Sequence, residues 1–131
     1  MSRTKIKDEL VNILTDIGVF YKVYKENTDI EKEKSFPIAW VYVGPEEISA
    51  GDVSATCYMR SITVDITIGT KHQSIESTDM DNLIDSVFTT LKSNYTINGS
   101  AINLTPLSIM TDQGFFHPYA LATLSFQVLT R

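Results

Sequence analysis

The sequence has little cysteine and lacks the long apolar runs of secreted or membrane-spanning chains. Cys57 is the single cysteine among 131 residues, so no internal disulfide can form and a reducing compartment is expected. The N-terminus carries charges where a signal peptide needs an apolar run, and no stretch approaches the roughly 20 apolar residues of a membrane span. We therefore expect a protein that is made in the cytoplasm.

Positive charge is also scarce. Lysine and arginine number 11 against 16 acidic residues, which gives a net charge of −5. A protein that grips nucleic acid neutralises phosphates with a basic surface, and this composition argues against such a protein. An acidic wall instead repels phosphate, so the composition remains compatible with nucleic acid that passes without binding.

Motifs for catalysis are missing. The sequence contains no glycine-rich phosphate loop, no nucleophile elbow and no paired-carboxylate motif. Cys57 and His72 suggest a thiolate pair, but a small buried cysteine is the simpler interpretation of a cysteine at a strand start. We expect no enzyme, no catalytic residue and no cofactor.

Metal-binding patterns fail in the same way. Residues 79–82, DMDN, begin like a calcium loop, but Leu83 stands at a ligand position and Ile84 where the turn needs glycine. Acids at a helix start explain this run better. His72 and His117 have no third ligand at metal spacing. We expect no metal site.

The composition and length of the chain predict a globular domain. Hydrophobic residues make up 43% of the chain and charged residues 21%, and the length predicts one domain over residues 1–131. The stretch Cys57–Ile68 alternates between two kinds of side chain, which is typical of a strand with one buried face. The apolar positions are Ile62, Val64, Ile66 and Ile68, and the polar positions are Ser61, Thr63, Asp65 and Thr67.

Two amphipathic helices accompany this strand. One apolar stripe consists of Ile6, Leu10, Ile13, Leu14 and Ile17, and the other of Met80, Leu83, Ile84, Val87, Phe88 and Leu91. Further strands are predicted at Val19–Tyr24, Ile38–Val43, Ile102–Met110 and Tyr119–Thr130, with Trp40 in the core. The predicted fold is α+β: a mainly antiparallel or mixed sheet of about five strands with two helices on one face, in the order α-β-β-β-α-β-β.

Two segments lack the pattern of a helix or strand. Residues 44–56, GPEEISAGDVSAT, follow a strand that we expect to end at Gly44–Pro45, and residues 111–118 form the tip of a hairpin. Apolar aromatic residues at such a tip suggest contact with another chain, and a tip that folds back on its own core is the alternative interpretation. The candidate subunit or partner interface comprises Glu46, Glu47, Ile48, Asp52, Phe115, Phe116, His117 and Tyr119.

The order and spacing of these elements carry a family resemblance that covers nearly all of the chain. Along the chain, the elements that carry it are an amphipathic helix ended by Gly18, a strand from Phe36–Pro37 to Gly44, a long loop, the strand Arg60–Ile68, a helix around Leu83–Leu91 and a final hairpin ending in Tyr119–Val128. This layout resembles the tail-terminator and tail-completion proteins of long-tailed bacteriophages.

The resemblance implies a structural protein of the virion, at the head-proximal end of the tail. Such a protein forms a hexameric ring, often from monomers that meet at the tail, ends the tail tube and presents a docking surface to the head connector. DNA passes through the lumen of the ring without specific binding. In such a ring, Ser61, Thr63, Asp65 and Thr67 are candidates for the lumen-facing surface.

Two alternatives stay open at the level of the sequence. A head-completion or head–tail joining protein of the phage neck belongs to the same class. A small-ligand-binding or enzymatic α+β domain belongs to another class and requires a pocket with convergent polar groups between helix and sheet.

Overall fold

The computed structural model describes residues 3–26, 32, 35–50, 58–71, 77–111 and 119–130. Its elements follow the predicted order α-β-β-β-α-β-β. They are α1 (Arg3–Ile17), β1 (Lys22–Tyr24), β2 (Ile38–Ala50), β3 (Tyr58–Lys71), α2 (Ser77–Ser93), β4 (Asn103–Thr111) and β5 (Tyr119–Thr130).

The five strands form one mixed sheet in the order β1-β2-β3-β5-β4. β1 runs parallel to β2, and all other neighbours are antiparallel. β3, the strand that contains the alternating stretch, lies at the centre. The predicted α+β class and mixed sheet are confirmed.

The hydrophobic core lies between the two helices and one face of this sheet. α1 packs on β1 and β2, whereas α2 packs on β3 and β5. The apolar positions of β3 are fully buried in the same cluster as residues of α1 and α2, which confirms the predicted packing of the helices on one face of the sheet. The β3 and β5 members are Ile62, Val64, Ile66, Ile68, Ala122, Leu124, Phe126 and Val128.

Helical periodicity also places the predicted stripes correctly. Ile6, Leu10 and Leu14 of α1 are fully buried because the three- and four-residue spacing puts them on one face. Gly18 follows α1 with a φ of 79°, the left-handed conformation that commonly ends a helix. On α2, Val87 is buried in the same core.

One predicted boundary is wrong. β2 does not end at Gly44–Pro45 but continues to Ala50, paired with β3, and a register shift between Val43 and Glu46 absorbs the proline. A bulge tolerates a residue without a backbone N–H. At Gly44 a Cβ atom would lie 3.2 Å from the carbonyl oxygen of Thr63, so the glycine permits this close approach. The first half of the predicted loop is therefore strand.

Smaller differences occur at the two ends of the sheet. β1 begins at Lys22 rather than Val19, after Tyr21 N donates a 2.7 Å hydrogen bond to Pro37 O. β3 continues past Gly69 to Lys71, because β5 is long enough to pair Tyr119 with Lys71. Pairing with a neighbouring strand decides both boundaries.

A turn between α2 and β4 is held in place by α1. Ile97, Asn98 and Gly99 all have positive φ, and an Asn–Gly pair favours such a turn. The Asn98 Nδ2 donates a 2.8 Å hydrogen bond to Glu9 Oε2. Ile97 accepts an unusual left-handed conformation while its side chain is fully buried. The turn thereby positions β4 relative to α2.

Candidate interaction surfaces

The sheet face opposite the helices carries a patch of small polar residues. β3 contributes the four residues that the sequence assigned to a possible lumen, and all four lie on this face, partly buried. β5 contributes the alternating positions that face them. We call this surface the polar face, and it consists of Ser61, Thr63, Asp65, Thr67, Thr123, Ser125 and Gln127.

Cross-strand hydrogen bonds join the two halves of the polar face. Ser125 Oγ donates to Asp65 Oδ1 at 2.7 Å, and the hydroxyls of Thr67 and Thr123 lie 3.2 Å apart. Gln127 Nε2 donates to Ser61 Oγ. The polar side chains of this face are therefore largely engaged with one another, and the one charge among them is the carboxylate of Asp65.

The β5 members of the polar face were not singled out by sequence analysis. A signal for them exists, because the apolar face of Ala122, Leu124, Phe126 and Val128 implies that the residues between them point the other way. Only strand pairing shows that they meet the β3 residues, with Thr67 opposite Thr123.

The remainder of this sheet face is more aromatic. Trp40 of β2 is 9% exposed, as predicted for a core residue, and lies between Tyr24 on β1 and Thr67 on β3. The rings of Phe36 and Tyr119 lie 6.0 Å apart. Lys71 Nζ lies 5.6 Å from the centroid of the Tyr119 ring. Tyr119, a predicted interface residue, thus contacts its own chain.

Glu46, another predicted interface residue, lies on the helix side of the sheet between two arginines. Arg60 Nε and Nη2 lie 2.9 and 2.8 Å from Glu46 Oε2, and Arg3 Nη1 lies 3.6 Å from Oε1. Arg3 Nη2 also donates to the carbonyl oxygens of Val43 and Gly44, at 2.8 and 2.7 Å. This cluster ties the start of α1 to the β2 bulge. Its two arginines were not predicted.

The structure does not bring the predicted interface residues together. Glu46, Glu47 and Ile48 lie opposite residues 60–62 of β3, whereas Tyr119 lies opposite Lys71. At about 3.3 Å per residue, these positions are roughly 30 Å apart along the sheet. Asp52, Phe115, Phe116 and His117 lie outside the described residues. The role of these residues at an interface stays a prediction.

An exposed edge strand is a surface that sequence analysis missed. Within the described sheet β4 has a paired strand on one side only, and eight of its nine residues are exposed. Of nine large hydrophobic residues that are exposed in the described part of the chain, five lie in or beside β4. They are Tyr95, Ile102, Leu107, Ile109 and Met110.

An apolar groove runs beside β4 on the helix side. It has a volume of about 360 Å³ and lies between α2 and β4, because α2 packs on β3 and β5 and leaves β4 partly uncovered. Its lining consists of Phe88, Thr89, Leu91, Lys92, Tyr95, Leu104, Pro106 and Phe126. The groove and the edge strand form one continuous surface, which we call the β4 surface.

A depression of about 400 Å³ lies between α2 and the junction of β2 and β3. Its lining includes Lys71, Asn82 and Ser86 as polar residues. Two of these are engaged within the chain, since Ser86 Oγ donates to Asn82 O at 2.9 Å and Lys71 lies over the Tyr119 ring. This arrangement offers little to a small polar ligand.

Within the described ranges, no group of three or more histidine, cysteine, aspartate or glutamate side chains is placed to hold a metal ion. No helix in that part of the chain has the length and apolar character needed to cross a membrane.

Comparisons with known proteins find similar structures but no matching sequence family. No protein-family model and no curated protein sequence matches this chain. Among solved structures, a chain described as "Virion of native gene transfer agent (GTA) particle" is similar over 94% of this chain and 92% of its own length, with 11% identity and a TM-score of 0.49. The functional proposal therefore rests on the residues and geometry of this chain.

Proposed function

We propose that this protein is a structural assembly protein of a bacteriophage-type particle, a tail terminator that ends the tail tube as a ring and presents a docking surface for the head connector. The order and spacing of its elements support this proposal, together with the surfaces of its sheet. The observation that carries it is the polar face, where small side chains are bonded to one another on the side away from the helices.

The polar face has the chemistry expected of a lumen wall. DNA binding depends on cationic groups and on hydrogen-bond donors that reach phosphate. On this face, the hydroxyls of Ser125 and Thr67 already have partners, and the carboxylate of Asp65 repels phosphate. DNA can pass such a wall without adhering to it.

The test of tube termination uses purified components. Tail-tube protein that polymerises alone is expected to form tubes of unlimited length, and addition of this protein is expected to stop growth and leave rings at tube ends. Electron microscopy measures the tube lengths. A strictly monomeric protein that leaves tube length unchanged contradicts the proposal.

The test of the lumen places positive charge on the polar face. Thr63→Lys with Thr67→Lys is expected to impair passage of DNA through assembled particles, because two lysines per copy bind phosphate. Thr4→Lys with Asn12→Lys adds the same charge on exposed positions of α1 and serves as the control. Release of DNA from particles is the readout, and equal release from both double variants contradicts the lumen assignment.

A head-completion protein of the phage neck is the alternative within this class. Pull-down with tube protein and with head connector separates the two functions. Binding to the tube is expected for a terminator, whereas binding to the connector alone favours the alternative.

A further inference from the structure

We propose that the β4 surface is one half of a head-to-tail contact between copies of this chain, and that the β1 edge of the next copy is the other half. This inference rests on the ring of the proposed function and names its subunit surface. Three observations carry it: the charge of the β4 segment, the direction of the strands and the size of the surface.

The β4 segment has no charge, although the chain as a whole is acidic. No aspartate, glutamate, lysine or arginine occurs between Lys92 and Asp112, whereas the chain carries a net charge of −5. Exposed edge strands of monomeric proteins are usually protected by charged side chains, which prevent pairing with another chain. β4 has a proline and a register shift at Pro106–Ser108, but Leu107 and Met110 are 54% and 68% exposed. β4 therefore adds no charge of its own to a contact between two acidic copies.

The strand directions suit a head-to-tail contact. The outermost strands of the described sheet are β1 and β4, and successive pairings make β1 run opposite to β4. When copies are related by rotation about an axis along the strands, β4 of one copy therefore meets β1 of the next as an antiparallel pair, the slightly more stable arrangement. Contact between unlike surfaces is also what closes a ring.

This arrangement covers the outer edges of β1 and β4. A contact of β4 with β4 of a second copy would leave the outer edge of β1 without a neighbouring strand and Tyr21 exposed, as it is in the single chain, where 69% of its surface is accessible. Head-to-tail contact uses each edge once and turns the polar face of every copy toward the same side of the ring.

The size of the surface predicts a weak contact between two copies. The nine residues of β4 extend about 30 Å and the three of β1 about 10 Å, and the width of a strand and a helix together is about 15 Å, so each copy contributes at most roughly 450 Å². The total of roughly 900 Å² lies below the range of stable complexes. Single contacts of this size dissociate readily, and a closed ring gains from the simultaneous formation of all of them.

Disulfide cross-linking tests the contact because it captures weak association. In a Cys57→Ser background, Lys22→Cys combined with Met110→Cys places one thiol at each edge, on the same sheet face. A second double variant with Ser108→Cys in place of Met110→Cys allows for a different register. Oxidation over a concentration series is expected to give a ladder of species beyond the dimer in at least one of the two.

The single variants decide between the two kinds of contact. Met110→Cys alone presents one thiol per copy. If this variant forms a cross-linked dimer as efficiently as the double variants form the ladder, β4 contacts β4 of a second copy, and the head-to-tail proposal is overturned. A pair with Thr63→Cys in place of Lys22→Cys, on the central strand β3 and on the same sheet face, measures random collision. Ladder formation that does not exceed this control in either double variant also overturns the proposal.

Charge substitution supplies an independent test. Leu107→Lys with Met110→Lys is expected to lower the cross-linked yield at least about tenfold, because burial of unpaired charge opposes association. The same two substitutions are made in the Lys22→Cys, Ser108→Cys background, so that both thiols remain. Thr4→Lys with Asn12→Lys, which adds the same charge at exposed positions of α1 outside the β4 surface, is the matched control. Equal loss in both variants, or loss in neither, contradicts the assignment of the β4 surface; circular dichroism verifies that each variant is folded.

The outcome is separable from that of the proposed function. If cross-linking gives the ladder but the protein does not change tube length, the contact between copies stands and the terminator function is rejected. If the Leu107→Lys, Met110→Lys variant arrests tube growth at the same concentration as the unsubstituted protein, the terminator function stands and the assignment of the β4 surface is rejected.

Discussion

The two faces of β3 and β5 show opposite ways of using the same pair of strands. On the helix side, β-branched and aromatic side chains such as Ile66 and Phe126 are buried against α1 and α2. On the other side, Asp65 and Ser125 hydrogen-bond across the strands while they remain partly accessible. The first face supplies stability through removal of apolar area from water, and the second adds only the modest net free energy of polar contacts. Because the polar face contributes little to stability, its side chains can be selected for their chemistry without loss of the fold.

The largest difference between the two faces is expected when the same substitution is made at two adjacent residues of β3, one on each face. Val64→Lys places a charge in the fully buried core and is expected to reduce the free energy of unfolding by more than about 4 kcal/mol. Thr63→Lys, on the polar face, is expected to change it by no more than about 0.5–1 kcal/mol. Urea denaturation followed by circular dichroism measures both. Similar losses in the two variants would show that the polar face is covered in the folded protein.

A second prediction compares polar contacts on the two faces. Glu46→Ala leaves Arg3 and Arg60 without their shared carboxylate, and we expect a loss of about 1.5–3 kcal/mol in the free energy of unfolding. Ser125→Ala removes one hydrogen bond to Asp65 and is expected to cost about 0.5–1.5 kcal/mol. Chemical denaturation gives both values. A larger loss from Ser125→Ala than from Glu46→Ala contradicts the assignment of the arginine cluster as the tie between α1 and the sheet.

The smallest expected effect concerns two threonines of the polar face. A double-mutant cycle with Thr67→Val and Thr123→Val isolates the interaction of their hydroxyls, which lie 3.2 Å apart. Because both side chains are partly accessible, the coupling free energy is expected to be about 0.5 kcal/mol or less. A coupling well above about 1 kcal/mol would mean that this hydrogen bond is shielded from water and contributes to the core.

Much of the fold was predictable from local pattern. Period-two alternation in β3 and helical periodicity in α1 and α2 depend on which side chains must leave water, and neighbouring residues suffice to specify this. Gly18 and Asn98–Gly99 were predictable as turns because a positive φ is costly for other residues. The order of elements followed from these signals.

The error at β2 has a definite physical cause. Gly44–Pro45 normally interrupts a strand, and the sequence contains no local signal for the partner that overrides this tendency. The long strand β3 offers pairing positions up to Tyr58, opposite Ala50, and a bulge accommodates the proline. Strand length here depends on a neighbour that follows later in the chain.

The candidate surfaces were predictable only in part. The four polar residues of β3 were identified by alternation, but their partners on β5 depend on register, with Asp65 opposite Ser125. Glu46 was interpreted as a contact residue because it belongs to a long segment without the pattern of a helix or strand. It lies between two arginines that are far from it in sequence, and no spacing rule connects Arg3 to it.

The sequence by itself determined which side chains are buried and which are polar, and so the number, kind and order of the helices and strands. Only the tertiary structure decided that β4 lies at the edge, because sheet order depends on long-range pairing and not on local periodicity. The absence of charge between Lys92 and Asp112 is visible in the sequence. It acquires meaning only when the structure places that segment where a second chain can pair with it.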